Sequence, residues 1–230
     1  MTIPTLSTPI VTTTTPLWSA ILFDLDGTIT DSAPGITTSL ARTFEALGKP
    51  VPPADELQAY VGPPLLESFQ LRAGLSESEA WEAMRIYRAD YADTAFDTAV
   101  YPGVAGVLER IHAEGIPLAL ATSKPEGIAR RILESFNLDG FFTVICGATD
   151  DEKRSAKADV VEEALRRLSE QGHDVSRAVM VGDRSYDTIG AAAHGVPTIL
   201  VEWGYGSPVE AADAFATVYS TDQLAKKLLG

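Results

Sequence analysis

The chain has 230 residues, enough for one large domain or for a core with a smaller insert. Its formal charge of −14 offers no basic footprint to a nucleic acid and disfavours an anionic membrane, and no apolar run approaches the ~20 residues of a membrane span. One cysteine, Cys146, excludes an internal disulfide and a cysteine-built zinc site; within FFTVICG it is expected to be a buried, inert thiol in a reducing, cytoplasmic setting.

Residues 1–17 are rich in Thr and Pro and lack a basic start followed by an apolar stretch. They read as a disordered tail and not as a signal peptide. The first apolar run, AILFDLD around Ile21, ends abruptly in carboxylates. Four similar runs follow: PLALATS near Leu120, FFTVIC near Val144, AVMVGD near Met180 and TILVEWG near Leu200. Short apolar runs of this kind suit strands buried on both faces, as in a parallel sheet. Helical patterns separate the later ones: GVAGVLERIHAEG, EGIARRILESFNL, ADVVEEALRRLSEQG and SYDTIGAAAHG. Alternation of strand and helix predicts an α/β core with right-handed crossovers.

The stretch from Pro34 to about Val100 breaks that rhythm. It contains no convincing strand, and four segments read as helices: GITTSLARTFEALG, ADELQAYVG, PLLESFQLRAG and SESEAWEAMRIYRADYADTAF. Turn-like Ser32–Pro34 and Tyr101–Gly103 bound it. The expected organisation is a core of residues 18–33 and 101–230, interrupted by an all-helical insert over 34–100.

Chemistry concentrates where the apolar runs stop. In Phe23-Asp24-Leu25-Asp26-Gly27-Thr28, two carboxylates leave one strand and would repel each other if buried without a partner. A divalent cation such as Mg²⁺ resolves this, because carboxylate oxygens suit it. Gly27 lets the backbone turn close to a ligand, and Thr28 adds a hydroxyl. Val181-Gly182-Asp183-Arg184-Ser185-Tyr186-Asp187 ends a later strand, with Asp183 and Asp187 placed to face the same way.

These strings resemble the haloacid dehalogenase superfamily, and within it the phosphoglycolate phosphatase-like branch, which carries a helical cap after the first motif. The resemblance runs from Ser19 to the C-terminus. It implies a Rossmann-like parallel-sheet core, a mobile cap hinged near Pro34 and Tyr101–Gly103, and Mg²⁺ as cofactor. It implies that Asp24 attacks phosphorus to give an aspartyl-phosphate, while Asp26 is general acid and then base. Asp183 becomes a Mg²⁺ ligand beside Asp24 and the backbone carbonyl of Asp26, and Asp187 holds a metal-bound water. Thr122 is assigned to the phosphoryl oxygens, with Ser123 one residue out of register as its rival and a substrate-binding candidate. Lys157 is assigned to neutralise developing charge, with Lys153 as its rival. The family's strand order would gather Asp24, Thr122, Lys157 and Asp183 at one edge of the sheet.

Gly27, Thr28, Ser123 and Arg88 are the candidate substrate-binding residues. Arg72 and Arg85 are the insert's other late cations, and Arg88 with Tyr91 is the preferred substrate-facing pair. Trp81, Tyr87 and Tyr91 read as packing aromatics, and Gly62-Pro63-Pro64 as a turn at the entrance. The implied activity is hydrolysis of a small soluble phosphate monoester such as 2-phosphoglycolate. A 5′-nucleotidase and a β-phosphoglucomutase-like mutase are the alternatives. No nucleic-acid or membrane partner is expected, and the assembly is a monomer or homodimer.

Overall fold

The computed structural model describes residues 16–230; most of the expected disordered tail lies outside the described residues. Strand β1 (Ala20–Phe23) is completely buried. It is flanked by β4 (Leu118–Pro125) and β6 (Ala178–Gly182), and β5 (Val144–Ala148), β7 (Thr198–Val201) and β8 (Ala216–Val218) extend the sheet in the order β5-β4-β1-β6-β7-β8. Every adjacent pair is parallel.

Side-chain alternation along β1 explains why both faces are covered. Ile21 and Phe23 join one apolar cluster with residues of α5 (Val104–Ala113), α6 (Glu126–Ser135) and α9 (Thr221–Leu229). Ala20 and Leu22 join another with α7 (Lys157–Glu170) and Ala191 of α8 (Ser185–Ala192). Helices therefore lie on both faces of the sheet, as the alternating pattern predicts. Cys146 is fully buried in β5, and burial pushes its thiol up to about 11. No helix among the described residues is long and apolar enough to cross a membrane.

Between β1 and β4 the chain forms α1 (Ala33–Ala46), α2 (Ala54–Gln58), α3 (Leu65–Leu71) and α4 (Glu77–Thr94). These helices enclose an apolar cluster of their own, including Leu40, Phe44, Phe69, Met84 and Tyr87. Ser76 starts α4 with a reciprocal capping box to Glu79. Gly35 lets α1 approach α4: a Cβ there would stand 2.7 Å from the Thr94 carbonyl oxygen.

Two expectations are corrected in this region. Ala99–Val100 forms a short strand, β3, antiparallel to β2 (Thr30–Asp31), so a two-stranded ribbon ties both ends of the insert together. Two residues a side are too few for a period-two pattern to emerge. Trp81 is 37% exposed instead of packed, whereas Tyr87 and Tyr91 are buried.

Candidate active site

Segments from the carboxyl ends of several strands meet above β1. Asp24 leaves β1 directly, its amide donating to the Val181 carbonyl of β6 at 2.9 Å. Asp183 follows β6, and Asp187 sits in the first turn of α8. One carboxylate oxygen from each of Asp24, Asp183 and Asp187 lies within 4.8 Å of the others, and all three residues are buried. Lys157, at the start of α7, brings its Nζ to 2.7 Å from Asp24 Oδ1 and 2.8 Å from Asp187 Oδ1, and donates to the Ala121 carbonyl at 3.1 Å.

Close backbone approach makes this crowding possible. Gly27 has φ +86°, and a Cβ on it would stand 2.2 Å from Asp183 Oδ2. Gly204, in the loop after β7, clears the same carboxylate: its Cβ would lie 2.4 Å from Asp183 Oδ2. Asp183 is fixed by the Tyr205 amide, which donates to Oδ2 at 2.7 Å, with Thr28 Oγ1 at 3.4 Å from Oδ1. Asp187 Oδ2 accepts from the amides of Asp183 and Arg184, both at 3.1 Å. Gly27→Ala is expected to cost about 1–3 kcal/mol, from the left-handed backbone and the clash together. A wild-type urea midpoint for that variant would show that the loop relaxes freely.

The electrostatics are unbalanced. Burial holds the Asp24 carboxyl up at about 6, against the pull of Lys157 and with a further push from Asp187. Burial, then Asp187 and Asp24, raise Asp183 well above the ordinary carboxylate range. Burial alone would depress the Lys157 ammonium, but Asp187 and Asp24 outweigh it and hold the group above its usual value. A second ion pair adjoins the first: Lys124 Nζ donates to both oxygens of Asp26, at 2.8 and 3.0 Å, and both residues are buried. When all four are ionised, Asp24, Asp26, Asp183 and Asp187 face two ammoniums among the described residues, Lys124 and Lys157, while the nearby Arg184 is engaged by Glu210. A divalent cation would offset that deficit of two positive charges. The oxygen donors of Asp24, Asp183 and Asp187, cradled by glycines, fit Mg²⁺.

Thr122 is buried within β4, its Oγ1 accepting from the Lys124 amide at 3.3 Å. Ser123 Oγ is buried without a partner, and Ser123 lines a cavity beneath the helical insert. Lys153 lies at the surface, its side chain 86% exposed and paired with Asp151. Arg88 and Tyr91 both line the cavity, and so do Gly62 and Pro63. Arg88, though, is engaged by the core: it donates to Glu152 Oε1 at 2.5 Å and to the Asp150 carbonyl at 2.9 Å. Arg85 pairs with Glu82 on the exposed face of α4, away from this set. Sequence reasoning passed over Lys124, Glu152 and Tyr205. A lysine adjoining a strand-end hydroxyl pair, and the closely spaced glycines of Trp203-Gly204-Tyr205-Gly206, were the available signals.

Comparison with known proteins agrees with this architecture. Over 188 residues the chain is 47% identical to the tyrosine-protein kinase PtkA of Mycobacterium tuberculosis, a match covering 81% of this chain and 62% of that protein. The chain thus spans less than two thirds of that relative's length. It is 38% identical to a 5′-nucleotidase of Pseudomonas aeruginosa, covering 88% and 90% of the two chains. It is 34% identical to a phosphoglycolate phosphatase of Caulobacter vibrioides, covering 88% and 87%. A solved structure of a predicted phosphatase from Clostridium acetobutylicum superposes with a TM-score of 0.86 at 38% identity, over 91% of this chain and 97% of that one. The sequence model described as haloacid dehalogenase-like hydrolase matches residues 21–201, nearly all of the sheet and the whole insert. The chain therefore belongs to the haloacid dehalogenase-like hydrolase family.

Proposed function

We propose that this chain is a Mg²⁺-dependent phosphatase that hydrolyses a small phosphate monoester through an aspartyl-phosphate on Asp24. The observation that carries the reading is the buried cluster of Asp24, Asp183 and Asp187 around Lys157, at the carboxyl edge of a parallel sheet. Relatives named phosphoglycolate phosphatase and 5′-nucleotidase support it, as does the family match.

The side chains have distinct tasks. Asp24 attacks phosphorus, the ester P–O bond breaks, and Asp26 gives its proton to the departing oxygen. Water then attacks the phosphoryl group, Asp26 takes its proton, and Asp24 is regenerated with release of inorganic phosphate. Lys124 engages both Asp26 oxygens, which suits the base role; the acid role requires that pair to part. Lys157 stays beside Asp24 and offsets charge gathering there. The Thr122 and Ser123 hydroxyls are the candidates for the phosphoryl oxygens. Asp24, Asp183 and the Asp26 carbonyl would hold Mg²⁺ directly, with Asp187 acting through water; when bound, the ion screens the incoming phosphate from the carboxylates and stabilises charge on its oxygens.

The helices over 34–100 are proposed as a cap. They lie over Asp26 and Lys124, and closing them excludes bulk water. The test is phosphate release over a panel of small esters and nucleotides. Chelation is expected to abolish release and added Mg²⁺ to restore it, with Mg²⁺ also raising the melting temperature. Full release from metal-stripped protein would sink the proposal. Two controls separate other phosphoryl transfers: glucose 6-phosphate made from β-glucose 1-phosphate would mark a mutase, and label passing from ATP to a protein tyrosine would mark a kinase.

A further inference from the structure

The cavity beneath the helical insert reaches Asp26 at its inner end. On the phosphatase reading, an ester whose phosphorus faces Asp24 and whose departing oxygen faces Asp26 must place its leaving group here. Much of the wall is apolar or aromatic, including Ile36, Leu65, Met84, Tyr60 and Tyr87. Charged side chains in the lining are Asp26, Lys124, Arg88 and Glu152. They form two closed pairs: Lys124 with Asp26 and Arg88 with Glu152. With both pairs closed the lining carries no net charge, and the Arg88–Glu152 pair takes no part in the proton transfer.

Arg88 belongs to α4, and Glu152 to the loop between β5 and α7. Glu152 is held in an unusual state. Its φ is +57°, a left-handed conformation that costs a non-glycine residue. Its side chain is only 8% exposed. The loop is cross-tied around it: the Glu152 amide donates to the Thr149 carbonyl at 3.0 Å, the Thr149 hydroxyl to Asp151 at 2.6 Å, and Ser155 Oγ to the Glu152 carbonyl at 3.1 Å. A turn at which glycine would be unstrained thus carries a buried carboxylate against the cation that the helical insert contributes to the cavity. Arg88 Nε stays buried without a partner, a donor suited to a neutral oxygen.

We infer that Glu152 is a specificity-determining residue: by neutralising Arg88 it makes the site select monoesters of uncharged alcohols or nucleosides over esters whose leaving group carries a carboxylate or a second phosphate. An anionic leaving group would enter with Arg88 already paired and with the Glu152 carboxylate close by, and such like-charge juxtaposition is strongly disfavoured. This inference rests on the phosphatase reading and adds the class of leaving group. Of the two small-ester alternatives, it shifts the weight from phosphoglycolate towards nucleoside-type esters.

The test uses two esters of matched size, 2-phosphoglycolate and 2-hydroxyethyl phosphate, with the intact protein and Mg²⁺. Wild type is expected to favour the neutral ester in kcat/KM by about tenfold or more. Glu152→Gln, which keeps size and removes charge, is expected to move that ratio towards 2-phosphoglycolate by about tenfold, chiefly through a lower KM. Glu152→Gly should move it the same way while relieving the backbone, so a failure of one variant to fold leaves the other to decide. A wild-type preference for 2-phosphoglycolate, or a ratio unmoved in the variants, overturns the inference and leaves the phosphatase standing. Absence of Asp24-dependent phosphate release from both esters and from every other ester and nucleotide of the panel brings down both.

Discussion

Asp24→Asn is expected to lower phosphate release by about four orders of magnitude or more, because the amide cannot accept the phosphoryl group. The fold should survive, since Asn fills the same space at the end of a fully buried strand. Stability supplies a second readout. The Asp24 carboxyl is held at about 6 against an ordinary 3.8, so the folded protein disfavours its ionised form. A raised carboxyl costs stability progressively as pH climbs from its unfolded value through its folded one. In metal-free buffer, the melting temperature of Asp24→Asn relative to wild type should therefore rise between pH 4 and pH 7. Mg²⁺ should narrow that advantage at pH 7, because the ion stabilises the wild-type cluster and binds the variant less well. Wild-type turnover by Asp24→Asn would end the covalent mechanism. A stability gap independent of pH would show that Asp24 is not an electrostatic burden.

The core was legible in the sequence because burial on both faces leaves a local mark. AILF, LALA, VICGA and AVMVG carry no polar side chain and TILV only Thr198, and each lies in a strand. β8 escaped because Ala216–Val218 is an edge strand of three residues, only its last fully buried. Helix α9 was also passed over, although Leu224, Ala225 and Leu228 bury one face of it and Ser220 caps its start. Asp24 and Asp183 could be singled out because carboxylates that end apolar strands are conspicuous. Lys124 and Glu152 were not: a lysine in the polar last half of a strand and a glutamate in a polar loop look solvated until tertiary packing brings Asp26 and Arg88 against them. Arg88 shows the same limit from the other side, since sequence identified the cation and could not see the carboxylate that occupies it.

Lys157→Met is expected to damage stability and turnover together, which separates it from Asp24→Asn. The lysine is the counter-charge in contact with both Asp24 and Asp187, with Asp183 in the same cluster. Removing one partner of a buried ionic network leaves uncompensated charge, at a cost of about 3–5 kcal/mol. Methionine fills most of the vacated volume, so the loss reports charge more than packing. Packing around the stem is nonetheless tight: a Cβ on Gly190 of α8 would stand 2.7 Å from the Lys157 Cβ, so that glycine is what lets α8 pass the lysine. Turnover should fall by about 10²–10³, the usual consequence of losing one preorganised charge beside developing negative charge. Mg²⁺ should raise the melting temperature of Lys157→Met by more than it raises that of wild type, because more negative charge is then left for the ion to offset. Lys153→Met, on the surface beside Asp151, should alter neither quantity and serves as the control. Equal melting temperatures and equal rates for the Lys157 and Lys153 variants would remove Lys157 from the site.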